Sequence, residues 1–200
     1  MCERNIRYEL FLQNNKGRWR YLVKEDMGLV HIYCGDGKGK STAALGIILR
    51  SIGCGYKVVL AQFLKEGDSS ELKPLSTFNN IKIISGQGGV KGFAKFMTDE
   101  NKEVVKKAHI RHFKEAINYC IDEKCDLLVL DEIIGAINVG LIDYDMVIDF
   151  LRNKPENLEV IMTGRDPKEE LLEMADYVSE VKKIKHPFDK GIGARYGIEK

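Results

Sequence analysis

The sequence contains no apolar run that approaches the roughly 20 residues of a membrane-spanning helix. Its first 15 residues mix charged and apolar side chains, and so they lack the apolar core of a secretory signal peptide. These two absences argue against membrane insertion and against secretion. We therefore expect a cytoplasmic protein with no membrane partner.

Paired cysteines are also absent. The chain has five cysteines, an odd number, and no two of them form a Cys-x-x-Cys pair. This spacing argues against a disulfide framework and against a structural zinc site. We expect reduced thiols, as is usual for cytosolic proteins.

A strong net charge is missing as well, because 31 Lys and Arg residues nearly balance 30 Asp and Glu residues. The resulting charge of +1 gives no general attraction to nucleic acid, so we expect no nucleic-acid partner. The charges are unevenly distributed, however, because residues 182–200 contain six basic and two acidic residues. This segment is either a solvated tail or a contact for phosphates.

Strand-like and helix-like segments alternate from residue 29 onward. Apolar runs predict six strands, at 29–34, 56–64, 81–85, 126–130, 158–163 and 177–181. Helical spacing predicts four helices, at 40–52, 98–123, 143–153 and 167–175. Continuous apolar strands are typical of a parallel sheet covered on both faces. We therefore predict an α/β fold of three layers, with a mostly parallel sheet between helices.

A chain of 200 residues is long enough for one full domain and leaves little room for two. We interpret residues 28–200 as that domain and residues 1–27 as an N-terminal extension. The extension contains Trp19, the single tryptophan, within a basic stretch. It is either an ordered arm, with Trp19 as a candidate contact at the active site, or a mobile tail.

A glycine-rich loop joins the first predicted strand to the first predicted helix, as a phosphate-binding P-loop requires. Glycines let successive backbone N–H groups turn toward an anion, and the helix N-terminus adds a partial positive charge. The standard motif has a further glycine where this chain has Cys34, so a chance glycine-rich loop is the alternative. We predict that eight residues bind the phosphates of ATP: Gly35, Asp36, Gly37, Lys38, Gly39, Lys40, Ser41 and Thr42.

Polar residues also follow two later predicted strands. Asp131 and Glu132 end a strongly apolar strand, beside the predicted loop, where a carboxylate can hold Mg²⁺. The alternative is a solvated acidic turn. Arg165 follows another strand, where it binds a phosphate or forms a surface ion pair.

Four motifs follow one another along the chain: GDGKGKSTAALG at 35–46, VLDEI at 129–133, MTGR at 162–165 and KHPFDKGIGARYGIEK at 185–200. In this order they resemble the P-loop type of ATP:corrinoid adenosyltransferase, and the resemblance extends over residues 28–200. The shifted glycine pattern and the Lys-His-x-Phe-Asp-x-Gly element are characteristic of that family. The resemblance implies a P-loop NTPase-like (RecA-like) fold.

The resemblance also implies a reaction. The family transfers the 5′-deoxyadenosyl group of ATP to the Co(I) of a corrinoid and releases the whole triphosphate. ATP would be the co-substrate and Mg²⁺ or Mn²⁺ the cation. Lys40, Glu132 and Arg165 are then the candidate catalytic residues, and Ser41, Glu132 and Asp131 the candidate metal ligands. Thr42 is a second candidate hydroxyl.

Four residues are candidates for the corrinoid side. In the family, a Phe and a Trp of a glycine-rich segment are thought to displace the lower axial ligand of cobalt. Phe93 matches the Phe position, whereas no Trp follows and Phe96 is the nearby aromatic residue. His186 belongs to the C-terminal motif, and Arg195 stands where the family is expected to have glutamine. Core packing is the alternative for Phe93 and Phe96, and a packed or surface position is the alternative for His186. For Arg195 the alternative is a shifted phosphate contact.

Partners are implied only by the resemblance: an electron-donating flavoprotein reductase and a second copy of the chain in a homodimer. Asp36 stands where the family often has Asn, and contact with the ribose or base is one role for it. Two other functions remain open from the sequence, an ordinary P-loop ATPase or kinase and a nucleotide-regulated binding module without turnover.

Overall fold

The computed structural model describes residues 9–11, 20–22, 27–92 and 97–199. Trp19, Phe93 and Phe96 lie outside the described residues, and their predicted contacts stay predictions. Two short strands, β1 (Glu9–Phe11) and β2 (Arg20–Leu22), pair antiparallel in a sheet of their own.

The main sheet has six strands, all parallel, in the order β5-β4-β6-β7-β3-β8. They are β3 (Val30–Cys34), β4 (Val58–Gln62), β5 (Ile81–Ile84), β6 (Leu127–Asp131), β7 (Glu159–Thr163) and β8 (Tyr177–Glu180). The helices are α1 (Lys40–Gly53), α2 (Leu72–Leu75), α3 (Asp99–Asp122), α4 (Ile133–Asn138), α5 (Tyr144–Asn153) and α6 (Glu169–Met174). A 3₁₀ turn covers Pro187–Lys190.

Two apolar cores lie on opposite faces of this sheet, because successive strand residues point to opposite sides. On one face α1 packs on the sheet through Ala44, Ile48 and Ile52, against Leu60, Val129 and Ile161. On the other face α3, α4, α5 and α6 pack on it, through Val105, Phe113, Ile134, Val147 and Leu171 against Val59, Leu128 and Val160. Each fully buried side chain of this size contributes about 1.5–3 kcal/mol. The prediction of a three-layer α/β fold is confirmed.

The central strands β4 and β6 are buried along their whole length, as their apolar residues predict, and this burial includes the polar residues that end them, Gln62 and Asp131. The ten predicted strands and helices are all present, with ends shifted by a few residues. Thr98, at the start of the helix predicted over 98–123, caps α3, because its hydroxyl oxygen accepts a hydrogen bond from the N–H of Asn101 at 3.3 Å. The short helices α2 and α4 were not predicted, since four and six residues are too few to show a helical period.

All six strands run in the same direction, so their carboxyl ends meet at one edge of the sheet. This edge carries the last residues of the six strands: Cys34, Gln62, Ile84, Asp131, Thr163 and Glu180. Within the described part of the chain, no helix has both the length and the apolar character needed to cross a membrane.

Candidate functional site

The phosphate loop, residues 35–39, leads from β3 into α1 as predicted. Lys40 is buried, and its Nζ donates hydrogen bonds to the carbonyl oxygens of Gly35 at 2.7 Å and Gly37 at 2.9 Å. Burial lowers the pKa of the Lys40 ammonium, and the nearby Glu132 opposes that shift. The backbone of the loop therefore surrounds the ammonium group of Lys40, the first residue of α1.

Two glycines of this loop lie against the backbone that follows β8. The N–H of Gly37 donates to the carbonyl of Val181 at 2.7 Å, and the N–H of Val181 donates to the carbonyl of Cys34 at 2.8 Å. A Cβ atom on Gly35 or Gly37 would lie only 2.5 or 2.7 Å from the Val181 oxygen. Gly35 also has a φ of +102°, which favours glycine. The close approach explains why side chains are missing here.

Asp36 is exposed, and its Oδ1 accepts a hydrogen bond from the backbone N–H of Lys183 at 2.9 Å. That hydrogen bond lowers the pKa of the Asp36 carboxyl. In this conformation Asp36 links the phosphate loop to the backbone that follows β8. Its predicted contact with ribose or base stays a prediction.

The buried carboxylate of Asp131 is fully engaged by its neighbours. Its Oδ1 accepts a hydrogen bond from the hydroxyl of Thr163 at 2.8 Å. Its Oδ2 lies 2.7 Å from the Nζ of Lys65 and accepts a bond from the Nε2 of Gln62 at 3.3 Å. Both oxygens have partners already, so this geometry favours Asp131 as an anchor of the sheet edge.

Glu132 is the carboxylate that faces the phosphate loop. It has a left-handed backbone (φ 61°), and its N–H donates to the hydroxyl oxygen of Thr163 at 2.8 Å. Burial raises the pKa of its carboxyl, the neighbouring Asp131 adds to that rise, and Lys40 opposes it. Thr163 thus orients both acidic residues. Sequence reasoning missed it, although it belongs to the MTGR motif.

A cavity of about 460 Å³ lies between the phosphate loop and the C-terminal segment, residues 182–199. Residues 36–42, Glu132, Arg165 and His186 are among those that line it. The structure therefore brings together the predicted ATP-binding loop and the three predicted catalytic residues.

Arg165 is exposed at the rim of this cavity. The side-chain amide of Asn138 donates to the carbonyl oxygens of Arg165 at 2.9 Å and Asp166 at 3.0 Å. These bonds fix the backbone at Arg165 and Asp166, while the guanidinium of Arg165 stays accessible from the cavity.

The C-terminal segment closes the other side of the cavity with its own contacts. The carboxylate of Glu199 accepts bonds from Lys38 Nζ at 3.0 Å and from Arg195 Nη2 at 2.8 Å. These bonds lower the pKa of Glu199. The Nδ1 of His186 accepts from the N–H of Phe188 at 3.1 Å and so begins the 3₁₀ turn. His186 lines the cavity, whereas Arg195 pairs with Glu199.

The donor set limits how a metal ion could bind. Within the described residues, no group of three or more His, Cys, Asp or Glu side chains is placed to hold a metal ion. The cavity instead offers the hydroxyls of Ser41 and Thr42 together with the carboxylate of Glu132. These hard oxygen ligands suit Mg²⁺, which usually completes its shell with water and phosphate oxygens.

Comparison with solved structures supports the fold. The chain is similar to the cytoplasmic domain of EssC, with a TM-score of 0.50 and 14% identity, over 95% of this chain and 39% of that one.

Comparison with protein sequences identifies the family. The family described as ATP:corrinoid adenosyltransferase BtuR/CobO/CobP matches residues 26–199. A corrinoid adenosyltransferase of Sinorhizobium sp is 35% identical over 88% of this chain and 81% of its own length. One from Escherichia coli (strain K12) is 31% identical over 88% of each chain. The chain therefore belongs to the ATP:corrinoid adenosyltransferase family.

Proposed function

We propose that this protein transfers the 5′-deoxyadenosyl group of ATP to the Co(I) of a corrinoid and releases tripolyphosphate. The family match over residues 26–199 is the observation that carries the proposal. The cavity alone would accept the phosphates of many nucleotide reactions. The cavity supports the proposal because it combines a phosphate loop with a buried lysine and an acidic residue.

The proposed step needs no proton transfer. The electron pair of Co(I) attacks C5′ of ATP, and a cobalt–carbon bond forms as the C5′–oxygen bond breaks. The pair from the broken bond leaves on the triphosphate, and the cobalt becomes formally Co(III). The protein has two tasks, to hold cobalt and carbon in line and to stabilise negative charge on the leaving group.

Lys40 is the group that we assign to the leaving triphosphate. Its ammonium already lies at the centre of the loop, where it donates to the carbonyls of Gly35 and Gly37. An arriving phosphate oxygen can replace those carbonyls as acceptor, because ammonium bonds to charged oxygens are stronger than those to neutral ones. Arg165 at the rim adds a second cation.

We assign Mg²⁺ or Mn²⁺ to Ser41 and Glu132, with phosphate oxygens as further ligands. The Asp131 carboxylate would stabilise the position of Glu132 without binding the cation, because its two oxygens already bond to Lys65 and Thr163. A bound cation supplies charge neutralisation for the triphosphate. It would also favour the ionised form of Glu132, whose pKa burial raises.

The corrinoid side of the site is assigned to the glycine-rich segment, residues 86–92, and the residues that follow it. Phe93 and Phe96 are its proposed apolar contacts, and His186 and Arg195 its proposed polar contacts. We further propose a cytoplasmic homodimer that receives electrons from a flavoprotein reductase.

The proposal is tested by anaerobic incubation of the protein with ATP, Mg²⁺ and chemically reduced cobalamin. We expect the visible spectrum of an alkylated, light-sensitive corrinoid, formed only when ATP is present. Folded protein that gives no such spectrum would refute the proposed reaction.

A further inference from the structure

Residues 64–67, here called the bridging segment, follow β4 and lie between the acidic strand end and the glycine-rich segment. Toward the acidic end, the Nζ of Lys65 lies 2.7 Å from Asp131 Oδ2 and 3.3 Å from Glu71 Oε1. Asp131 immediately precedes Glu132 at the phosphate cavity. One end of the bridging segment is therefore fixed to the nucleotide side of the site.

The other end of the bridging segment contacts the glycine-rich segment at both of its ends. Glu66 Oε1 accepts a hydrogen bond from the N–H of Gly92 at 2.8 Å. A Cβ on Gly67 would lie 3.4 Å from the Cα of Gly86, so the two backbones pass close to each other. Gly92 immediately precedes Phe93, the proposed corrinoid contact.

The backbone of the bridging segment is held in an unusual conformation. Leu64 has a φ of 55°, which costs energy for a residue with a branched side chain. Its N–H donates to the Nε2 of His109, a fully buried residue of α3, at 3.2 Å. This hydrogen bond ties the start of the bridging segment to a buried residue of α3.

A second link runs parallel to the first. The hydroxyl of Ser85 donates to Gln62 Oε1 at 3.0 Å, and Gln62 Nε2 donates to Asp131 Oδ2 at 3.3 Å. Ser85 precedes Gly86, so this link fixes the start of the glycine-rich segment to the same carboxylate. Both links converge on Asp131.

We propose that the bridging segment sets the distance between the phosphate site and the glycine-rich segment, and that Glu66 is a positioning residue for the corrinoid. The inference rests on the proposed function, because it takes residues 86–92 as the corrinoid side. Glu66 is exposed and lies outside the cavity, so it acts through Gly92.

The test compares three variants of the full chain. Glu66→Ala removes the acceptor of the Gly92 N–H, whereas Glu66→Gln keeps a side-chain oxygen in its place. Glu103→Ala, at an exposed glutamate of α3, is the matched control. We expect Glu66→Ala to raise the KM for reduced cobalamin about fivefold, the effect of one exposed hydrogen bond. The KM for ATP should stay unchanged, and Glu66→Gln should restore wild-type values.

A second readout does not depend on turnover. Hydrogen exchange at the amide of Gly92 should be faster in Glu66→Ala than in Glu66→Gln or Glu103→Ala. The inference would be overturned if Glu66→Ala matched Glu103→Ala both in the KM for reduced cobalamin and in the exchange rate of the Gly92 amide. It would also be overturned if Glu66→Ala changed the KM for ATP instead of that for cobalamin. Wild-type protein without transfer would refute the proposed function, and the exchange rate would still decide whether Glu66 fixes the segment.

Discussion

The phosphate loop and the glycine-rich segment make a useful comparison, because both follow parallel strands at one edge of the sheet. The phosphate loop is held from within, by a lysine that bonds to carbonyls three and five residues before it. The glycine-rich segment is held from outside, by Glu66, which lies 26 residues before its partner Gly92. The phosphate loop thus has support from its own lysine, in addition to the backbone after β8, which bonds to Gly37 and Asp36. The glycine-rich segment, as the structure describes it over residues 86–92, has no such lysine and takes its side-chain support from Glu66.

The largest effect is expected from Lys40→Ala. This change removes the charge at the centre of the phosphate loop, and we expect transfer to fall at least about 100-fold, as for the loss of one transition-state donor. The unfolding midpoint should change little. The measurement is the rate of corrinoid alkylation together with a thermal melt. A normal rate would contradict the role given to Lys40, and Lys114→Ala, at an exposed lysine of α3 outside the cavity, is the control.

Asp131→Asn tests the carboxylate to which the glycine-rich segment is linked twice, through Lys65 and through Gln62. Lys65 would lose its buried carboxylate, and breaking such a pair costs about 3 kcal/mol. Urea unfolding measures this loss directly. Glu71→Gln, at the half-buried second partner of Lys65, should cost far less. An unchanged unfolding midpoint for Asp131→Asn would contradict the claim that the Asp131 carboxylate stabilises this end of the sheet.

The support of Leu64 by His109 should depend on pH. Burial lowers the pKa of His109 to about 4, from the ordinary value of 6.5, with His112 adding to the shift. The unfolded chain therefore binds a proton that the folded chain excludes, so stability is full above pH 6.5 and falls toward pH 4. We expect a loss of about 2 kcal/mol between pH 7.5 and pH 5.

Denaturant unfolding at several pH values measures this slope. In His109→Gln an amide oxygen can accept the Leu64 N–H without titrating, so the pH dependence should be weaker there. If the free energy of unfolding fell equally with pH in the wild type and in His109→Gln, groups other than His109 would be responsible for the pH dependence.

The smallest effect is expected from Glu199→Ala. This exposed contact joins Lys38 to Arg195 across the cavity mouth. Its loss should speed hydrogen exchange at the amide of Arg195, which also bonds to Glu199. The unfolding midpoint should not move. Unchanged exchange would show that the C-terminal segment is held by its other contacts.

The same contrast explains how much could be predicted from the sequence. The strands, the long helices and the phosphate loop depend on residues close in the chain, so periodicity and glycine spacing predict them. The order of the four motifs carried the family resemblance, and that resemblance added the expected reaction. The bond between Leu64 and His109 joins residues 45 apart, and that between Gln62 and Asp131 joins residues 69 apart. Such contacts form only once strand order is set, and no local pattern predicts them.

His109 shows the same limit on α3. Helical spacing predicts a buried apolar stripe on this helix, made of Val105, Ala108, Phe113, Ala116, Ile117 and Cys120. The structure buries all of these residues except Ile117, which is half-buried. The stripe did not predict that His109 and His112 would be buried beside them. The Leu64 N–H is a distant partner for the Nε2 of His109, whereas the Nδ1 atoms of His109 and His112 are buried without a hydrogen-bond partner among the described residues.

The phosphate product distinguishes the proposed reaction from ordinary P-loop chemistry most directly. Phosphorus NMR of the anaerobic reaction with ATP, Mg²⁺ and reduced cobalamin should show tripolyphosphate, formed in equal amount to the alkylated corrinoid. ADP with orthophosphate, formed without a cobalt–carbon product, would show that the loop serves phosphate hydrolysis and would contradict the proposed transfer.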